Sequence, residues 1–207
     1  MKVIKPYYVI EEEIDAAKIM SGIERAGRTC YKSEGKIGDG SAEKFIAAII
    51  KRGHESVLEH EKITVRFICD RGVTHELVRH RIASFSQEST RYCNYSQDRF
   101  GSELTFIKPC FWEEGKDDDK IALWTSAMEN IEKTYNEMIS LGAKPEEARS
   151  ILPNSLKTEI VVTMNMREWR HYFKLRTAPA AHPQIREISN MLLEEFKAKL
   201  PVLFGDI

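Results

Sequence analysis

Two stretches of strict alternation limit the possible folds of this chain more than any other feature. Ile63, Val65, Phe67 and Cys69 alternate with Thr64, Arg66, Ile68 and Asp70. Ile160, Val162, Met164 and Met166 alternate with Glu159, Val161, Thr163 and Asn165. Successive side chains of a strand point to opposite faces, so each pattern predicts a strand with one face in a core. Each also runs straight into a helical pattern, the first beyond Thr74 and the second over residues 167–176. A strand end feeding a helix start is a rigid base on which ligand-binding side chains converge.

Around these two units the remaining elements follow. Residues 3–10 are β-branched and aromatic and read as a strand, and 104–107 as a short one ended by Pro109. Helical spacing covers 14–26. Ser41 caps a helix over 42–52, with Phe45, Ala48 and Ile49 inward and Gly53 stopping it. The longest helix spans 121–141, with an aromatic and methionine stripe that reads as core. Pro145 starts a short helix over 146–152, and 185–200 is a final amphipathic helix. Residues 32–40 and 115–120 read as loops, and 177–183 as a linker of defined shape. There is no internal repeat and no Gly-x-Gly-x-x-Gly fingerprint. About four strands among about five helices make too few βαβ repeats for a doubly wound sheet. The expectation is one α+β domain, residues 1–207, with a central, mostly antiparallel sheet and helices packed around it.

With 207 residues and 42% hydrophobic content, the chain is long enough to bury a substantial core. A net charge of −1 argues against a general nucleic-acid binder. Cys30, Cys69, Cys93 and Cys110 are widely spaced, which suits reduced thiols and a cytoplasmic location and offers no zinc framework. No signal peptide and no run of 18 apolar residues is visible.

Charge is nevertheless concentrated locally. Residues 75–92 hold Arg79, Arg81 and Arg91 among His75, His80, three serines and Gln87. Thr74 is placed to cap a helix with Leu77, Val78 and Ile82 on its apolar face, fading after Ala83 into a serine-rich loop. On such a helix Arg79 and Arg81 point about 200° apart, so they serve different ligands. Guanidinium forks beside hydroxyls suit a phosphate, though a solvated basic helix is the plainer reading. Upstream, His54-Glu55-Ser56 and Glu59-His60 read as a polar surface connection.

Arg79-His80-Arg81, seven residues and then Ser89 resembles the signature of the flavin-dependent thymidylate synthases. Gln87, Thr90-Arg91-Tyr92, the His54–His60 segment, Arg149, Asn165, Arg167 and Arg176 extend the resemblance from about residue 25 to 190. It implies reductive methylation of dUMP to dTMP, with 5,10-methylenetetrahydrofolate as carbon donor and NADPH-reduced FAD as hydride donor. It also implies a non-Rossmann flavin site, no cysteine nucleophile, no metal, and a homotetramer with active sites shared between subunits. By position, Glu76, Arg79, Gln87, Glu88, Ser89, Thr90, Arg91, Arg149 and Arg176 would meet dUMP, with Arg176 catalytic. Ser56, Glu59, Arg79, His80, Arg81, Gln87, Asn165, Arg167 and His171 would meet FAD, and His54 would face the approaching folate or nicotinamide. Ser89 reads as a binding hydroxyl, since no base is assured beside it. Glu76 stands where some relatives carry glutamine and is expected at the uracil or ribose; Cys30 and His182 carry no role over. Two rivals remain at this stage. One is an RNA-binding module using Arg79, Arg81 and Arg91 with Tyr92 and Tyr95 for stacking. The other is a metal hydrolase built on His54, His60, His75 and His80.

Overall fold

A computed structural model describes residues 1–93, 95 and 103–207. It carries β1 (Lys2–Ile4), β2 (Tyr7–Ile10), α1 (Ala16–Thr29), α2 (Ser41–Lys51), β3 (Lys62–Asp70), α3 (Arg71–Leu77) and β4 (Ala83–Gln87). There follow β5 (Thr105–Ile107), α4 (Asp118–Ser140), α5 (Pro145–Ala148), β6 (Lys157–Asn165), α6 (Met166–Arg176), α7 (Pro183–Lys199) and α8 (Pro201–Phe204). The architecture is α+β, with an open antiparallel sheet in the order β2-β3-β6-β4. A second, two-stranded sheet pairs β1 with β5 in parallel, Lys2 opposite Thr105. Both alternating stretches are strands with the expected inward residues: Ile63, Val65, Phe67, Cys69, Ile160, Val162 and Met164 are all buried. Thr64 and Thr163 bond through their hydroxyls at 2.9 Å.

The chain divides into two compact units, each assembled from discontinuous segments. The first comprises Met1–Tyr7, Phe67–Arg79 and Ser86–Ile160. Its core gathers Leu104, Phe106, Met128, Tyr135, Ala148 and Leu156 with Tyr95 at its margin. α4 is the longest helix and buries Met128 and Tyr135, while Trp124, Ile131, Met138 and Ile139 of the expected stripe pack half-buried against the same core. Leu123, on the weak side of that pattern, is 75% exposed.

The second unit comprises Tyr8–Arg66, His80–Phe85 and Val161–Ile207. Its centre is aromatic: Trp169 stacks on Phe173 at 5.8 Å, and Phe196 and Phe204 meet the same ring edge to face. Such pairs add about 0.5–1.5 kcal/mol each beyond burial. The one polar edge of Trp169 is satisfied, its indole N–H donating to the Ile63 carbonyl at 3.1 Å. Tyr172 and Ser189, both buried, share a hydrogen bond of 2.6 Å.

Several expectations are corrected. Residues 3–10 form two strands in different sheets, because Pro6 has no N–H for a ladder. α2 begins at Ser41 itself, with Gly40 at φ +66° as its cap; the Ser41 hydroxyl instead donates to Glu24 at 2.7 Å. Ile46 takes the deepest position on that helix and Phe45 is only half-buried. The helix expected beyond Thr74 is capped by Asp70, whose carboxylate accepts from the Val73 amide at 2.9 Å. Thr74 lies inside it, and the helix stops at Leu77. Val78 and Ile82 are 43% and 64% exposed, so they form no apolar face. Arg79 and Arg81 are therefore not on a helix, and the 200° argument fails. The serine-rich run is β4, not a loop.

Candidate functional site

The residues singled out from the sequence fall into two sets, one in each unit. In the second unit, β6 delivers Asn165 to the start of α6. The Asn165 carboxamide caps that helix, accepting from the Glu168 amide at 2.8 Å. Two and six residues on, Arg167 and His171 project from the same face while Trp169 and Phe173 enter the core, as the spacing predicts. Asn165, Arg167 and His171 line a cavity of about 380 Å³ together with Glu59, Glu168 and the exposed Ile82. Glu59 comes from the short 3-10 helix Glu55–His60, which Leu58 anchors by complete burial. Arg167 bridges to Glu59 at 2.5 Å.

The Glu55–His60 segment is also held from behind. Arg170 is 1% exposed and grips both Asp206 oxygens at 2.7 Å, the Leu203 carbonyl, and Glu55 at 3.4 Å. This guanidinium holds the Asp206 carboxyl below the usual carboxylate range. A buried arginine with carboxylates and a carbonyl around it avoids the large cost of an unpaired interior charge. Sequence reading missed Arg170, because position 170 looked like one more cation on a basic helix.

Behind the cavity lies a buried polar chain. His80 is 3% exposed and its Nδ1 is 2.9 Å from Glu168 Oε1. Arg176 Nε donates to His80 Nε2 at 3.1 Å. A guanidinium has no acceptor, so Nε2 must be bare and the proton must be on Nδ1, donated to Glu168. Burial lowers the His80 pKa from its ordinary 6.5, and Arg176 and His171 push the same way against Glu168. The ring is thus neutral, in one tautomer. His171 and Tyr172 close it in edge to face.

His80, Glu168 and His171 form the one metal-like cluster among the described residues, with ligand atoms within 4.8 Å. Both His80 nitrogens are already engaged and a guanidinium is bonded to one of them, which opposes a cation. His54, His60 and His75 belong to no such cluster. That removes the structural basis for a four-histidine hydrolase.

In the first unit, Gln87 donates to the Thr74 hydroxyl at 3.1 Å and to Thr158 at 3.4 Å. Glu88 accepts from Tyr95 at 2.9 Å and from Lys157 at 3.1 Å. Ser89 accepts from the Arg91 amide at 3.3 Å, and Arg149 reaches the buried Thr90 hydroxyl at 3.5 Å. Arg91 lies over the Tyr92 ring at 5.4 Å and 4.0 Å from Glu146. Ser89, Thr90, Arg91 and Arg149 are thus neighbours. No histidine or lysine is bonded to Ser89 among the described residues. Glu76 and Arg79 are at the end of α3, in this unit. Of the flavin-directed residues, Arg79 and Gln87 also belong here rather than to the cavity, and Arg81 is exposed in the second unit without a place in its lining. Tyr95 is 8% exposed and bonded to Glu88, so it offers no stacking surface for RNA. His182 caps α7. The four cysteines are free, and burial pushes the Cys69 thiol up, away from nucleophilic use. No helix of the described residues is long and apolar enough to cross a membrane.

Comparison with known proteins gives the family. The profile of the thymidylate synthase complementing protein family matches residues 14–202. A flavin-dependent thymidylate synthase of Pyrococcus furiosus is 40% identical over 82% of this chain and 68% of its own length. That of Pyrococcus abyssi is 40% identical over 77% of this chain, and the match spans 64% of that relative. That of Geobacter sulfurreducens is 34% identical over 90% of this chain and 81% of its own. The chain thus spans about two thirds of the archaeal relatives it matches. A crystal structure of a UMP/dUMP methylase from Streptomyces cacaoi, bound with 5-Br dUMP, superposes with a TM-score of 0.82 at 24% identity. It covers 99% of this chain and 96% of that one, and so shares the fold. On the extent of these matches, the chain belongs to the flavin-dependent thymidylate synthase family.

Proposed function

We infer that this chain converts dUMP to dTMP, taking a one-carbon unit from 5,10-methylenetetrahydrofolate and a hydride from NADPH by way of FAD. In balance, dUMP, methylenetetrahydrofolate, NADPH and a proton give dTMP, tetrahydrofolate and NADP⁺. The observation that carries the reading is the convergence of Asn165, Arg167, His171 and Glu59 on one cavity, backed by the buried Glu168–His80–Arg176 chain. The donor set suits a flavin: an exposed apolar Ile82 for a flat ring, an amide, and a guanidinium. When bound, the reduced flavin supplies the hydride that no side chain can supply.

The protein's own residues then bind, orient and stabilise charge. Arg176 is the catalytic residue. Its Nε donates to His80, which sets the direction of the guanidinium. Set beside the uracil carbonyl, that positive charge favours electron density at the ring, so that carbon 5 becomes nucleophilic without a cysteine adduct. Arg79, Arg91, Arg149, Ser89 and Thr90 hold the nucleotide, chiefly its phosphate, where bidentate donors are strongest. Gln87 and Glu88 orient this set: each is already bonded within the chain, so any meeting with dUMP is secondary to holding β4 and its neighbours in place. Ser56 and Arg81 contact the flavin, His54 faces the folate, and Glu76 meets the uracil or ribose. The assembly is a homotetramer in which each active site draws on several subunits, and the enzyme works in the cytoplasm.

The test is direct. The purified protein should be yellow, bleach on addition of NADPH, and form dTMP. Arg176→Ala should keep its flavin and lose most of its turnover, by two orders of magnitude or about 3 kcal/mol of barrier. A colourless protein that takes up no FAD, or wild-type turnover in the variant, refutes the corresponding assignment.

A further inference from the structure

Within the second unit the flavin cavity does not stand alone. Arg167 also lines a second cavity of about 350 Å³, beside Ser56, His54 and Tyr31. His54 and Tyr31 in turn line a third, of about 670 Å³, formed by α1, α2 and the residues between them. The three share walls in sequence, Arg167 joining the first pair and His54 the second.

The third cavity is basic. Lys36, Lys44 and Arg52 line it, and none of them makes an ion pair or side-chain hydrogen bond among the described residues. A fourth cation, Arg28, is neutralised by the buried Glu24 at 2.7 Å and lies over the Phe45 ring at 4.7 Å, forming part of the wall. Glu24 also accepts from Ser41, and Ser41 from the Gly38 amide at 3.0 Å, which ties the intervening residues to α1. Asp39 is the lone carboxylate in the lining, leaving three unpaired cations against one anion. On a chain of net charge −1, such a surplus at one cavity marks a site for an anion.

Its layout distinguishes the kind of anion. Lys44 stands in the first turn of α2 and Arg52 just past its end, about 12 Å apart along the axis at ~1.5 Å per residue. Two of the three cations are lysines, which act as separate point charges rather than forks. That spread suits successive carboxylates on an extended tail better than one phosphate.

We propose that this cavity is a subsite for the poly-γ-glutamate tail of the folate co-substrate, whose flat ring lies toward His54 and the flavin cavity. The assignment rests on the function proposed above and adds to it a tail-length preference built on Lys36, Lys44 and Arg52. All three side chains are exposed, so their replacement spares the core.

The experiment compares mono- and triglutamate forms, both as methylenetetrahydrofolate in turnover and as folic acid in calorimetric binding to FAD-loaded protein. The wild type should favour the triglutamate by about tenfold or more, the scale of three partly exposed ion pairs acting together, and less so at high salt. The variant carrying Lys36→Gln, Lys44→Gln and Arg52→Gln should lose that preference while its monoglutamate KM, dUMP KM and FAD content hold. Equal affinity for the two forms in the wild type overturns the subsite, as does a preference that survives in the variant. So does a variant that sheds FAD, or one whose NADPH KM rises with the tail preference intact, since the cations would then serve phosphates. Tail-dependent binding by a protein that makes no dTMP would sink the proposed function and leave the subsite standing. Turnover without tail dependence would do the reverse.

Discussion

His80 is a buried imidazole with an acid on one nitrogen and a guanidinium on the other, and this fixes both its charge and its role. Protonation of Nε2 would place a hydrogen against the Arg176 N–H and set two cations together, so the chain works only while the ring is neutral. Burial keeps the ring's pKa below the ordinary 6.5 and so favours the neutral form. Because the unfolded ring holds its proton up to the ordinary 6.5, the unfolded state binds more protons in the window just below that value. Stability should therefore rise with pH through the window and level off above it, and His80→Gln should flatten that slope in urea titrations run from pH 5 to 8. Glu168→Gln tests the orientation itself, since its amide can donate to Nδ1 and so stabilise the wrong tautomer. Turnover should fall about tenfold to a hundredfold with dUMP KM and flavin content nearly unchanged, and Glu168→Asp should recover part of the loss. Full activity in Glu168→Gln would remove His80 as the group that positions Arg176. The sequence pointed to His80 and Arg176 only through their family pattern. Glu168 had no signal of its own, because an acid three residues into a helix reads as a capping-box partner.

At the scale of elements, period two was the reliable signal. β3 and β6 were legible because their inward and outward residues differ sharply in polarity. In β4 the same period is present in the exposed Ser84 and Ser86 and the half-buried Ala83, Phe85 and Gln87, but small and polar residues mask it. α3 was misplaced for a related reason. Asp70 looked like the outward residue of a strand, yet it is 4% exposed and caps the following helix, which starts four residues earlier than Thr74 suggested. Residues 78–82, over which the helical pattern continued, instead form the turn and irregular connection between α3 and β4. The cap makes a clean prediction. Asp70→Ala should destabilise the protein by about 1–2 kcal/mol, read as a lower urea midpoint at constant slope, while Asp70→Asn retains the cap acceptor and costs much less. Equal losses in the two variants would mean that the charge of Asp70, rather than its acceptor oxygen, is what α3 requires.

At the scale of the molecule, the two residue sets belong to different compact units, and each unit carries chemistry suited to one ligand. The first holds hydroxyls and arginines at Ser89, Thr90, Arg91 and Arg149; the second holds the cavity at Asn165, Arg167 and His171. A ligand stabilises the native state by an amount set by its concentration over Kd, about 2.7 kcal/mol at a hundredfold excess. Backbone openings that break a ligand's contacts are slowed most, so hydrogen exchange should separate the segments that hold the nucleotide phosphate from those that hold the flavin. FAD should slow exchange in Glu55–His60 and in α6, which carries Arg167, Glu168 and His171 of the cavity wall. dUMP should slow it in the residues around Ser89 to Tyr92 and in the turn Arg149–Ile151. Protection by FAD confined to the first unit, or by dUMP confined to α1 and α2, would show that the two sets had been assigned to the wrong ligands. The resulting exchange map would then say which of the arginines named in the sequence bind the nucleotide and which do not.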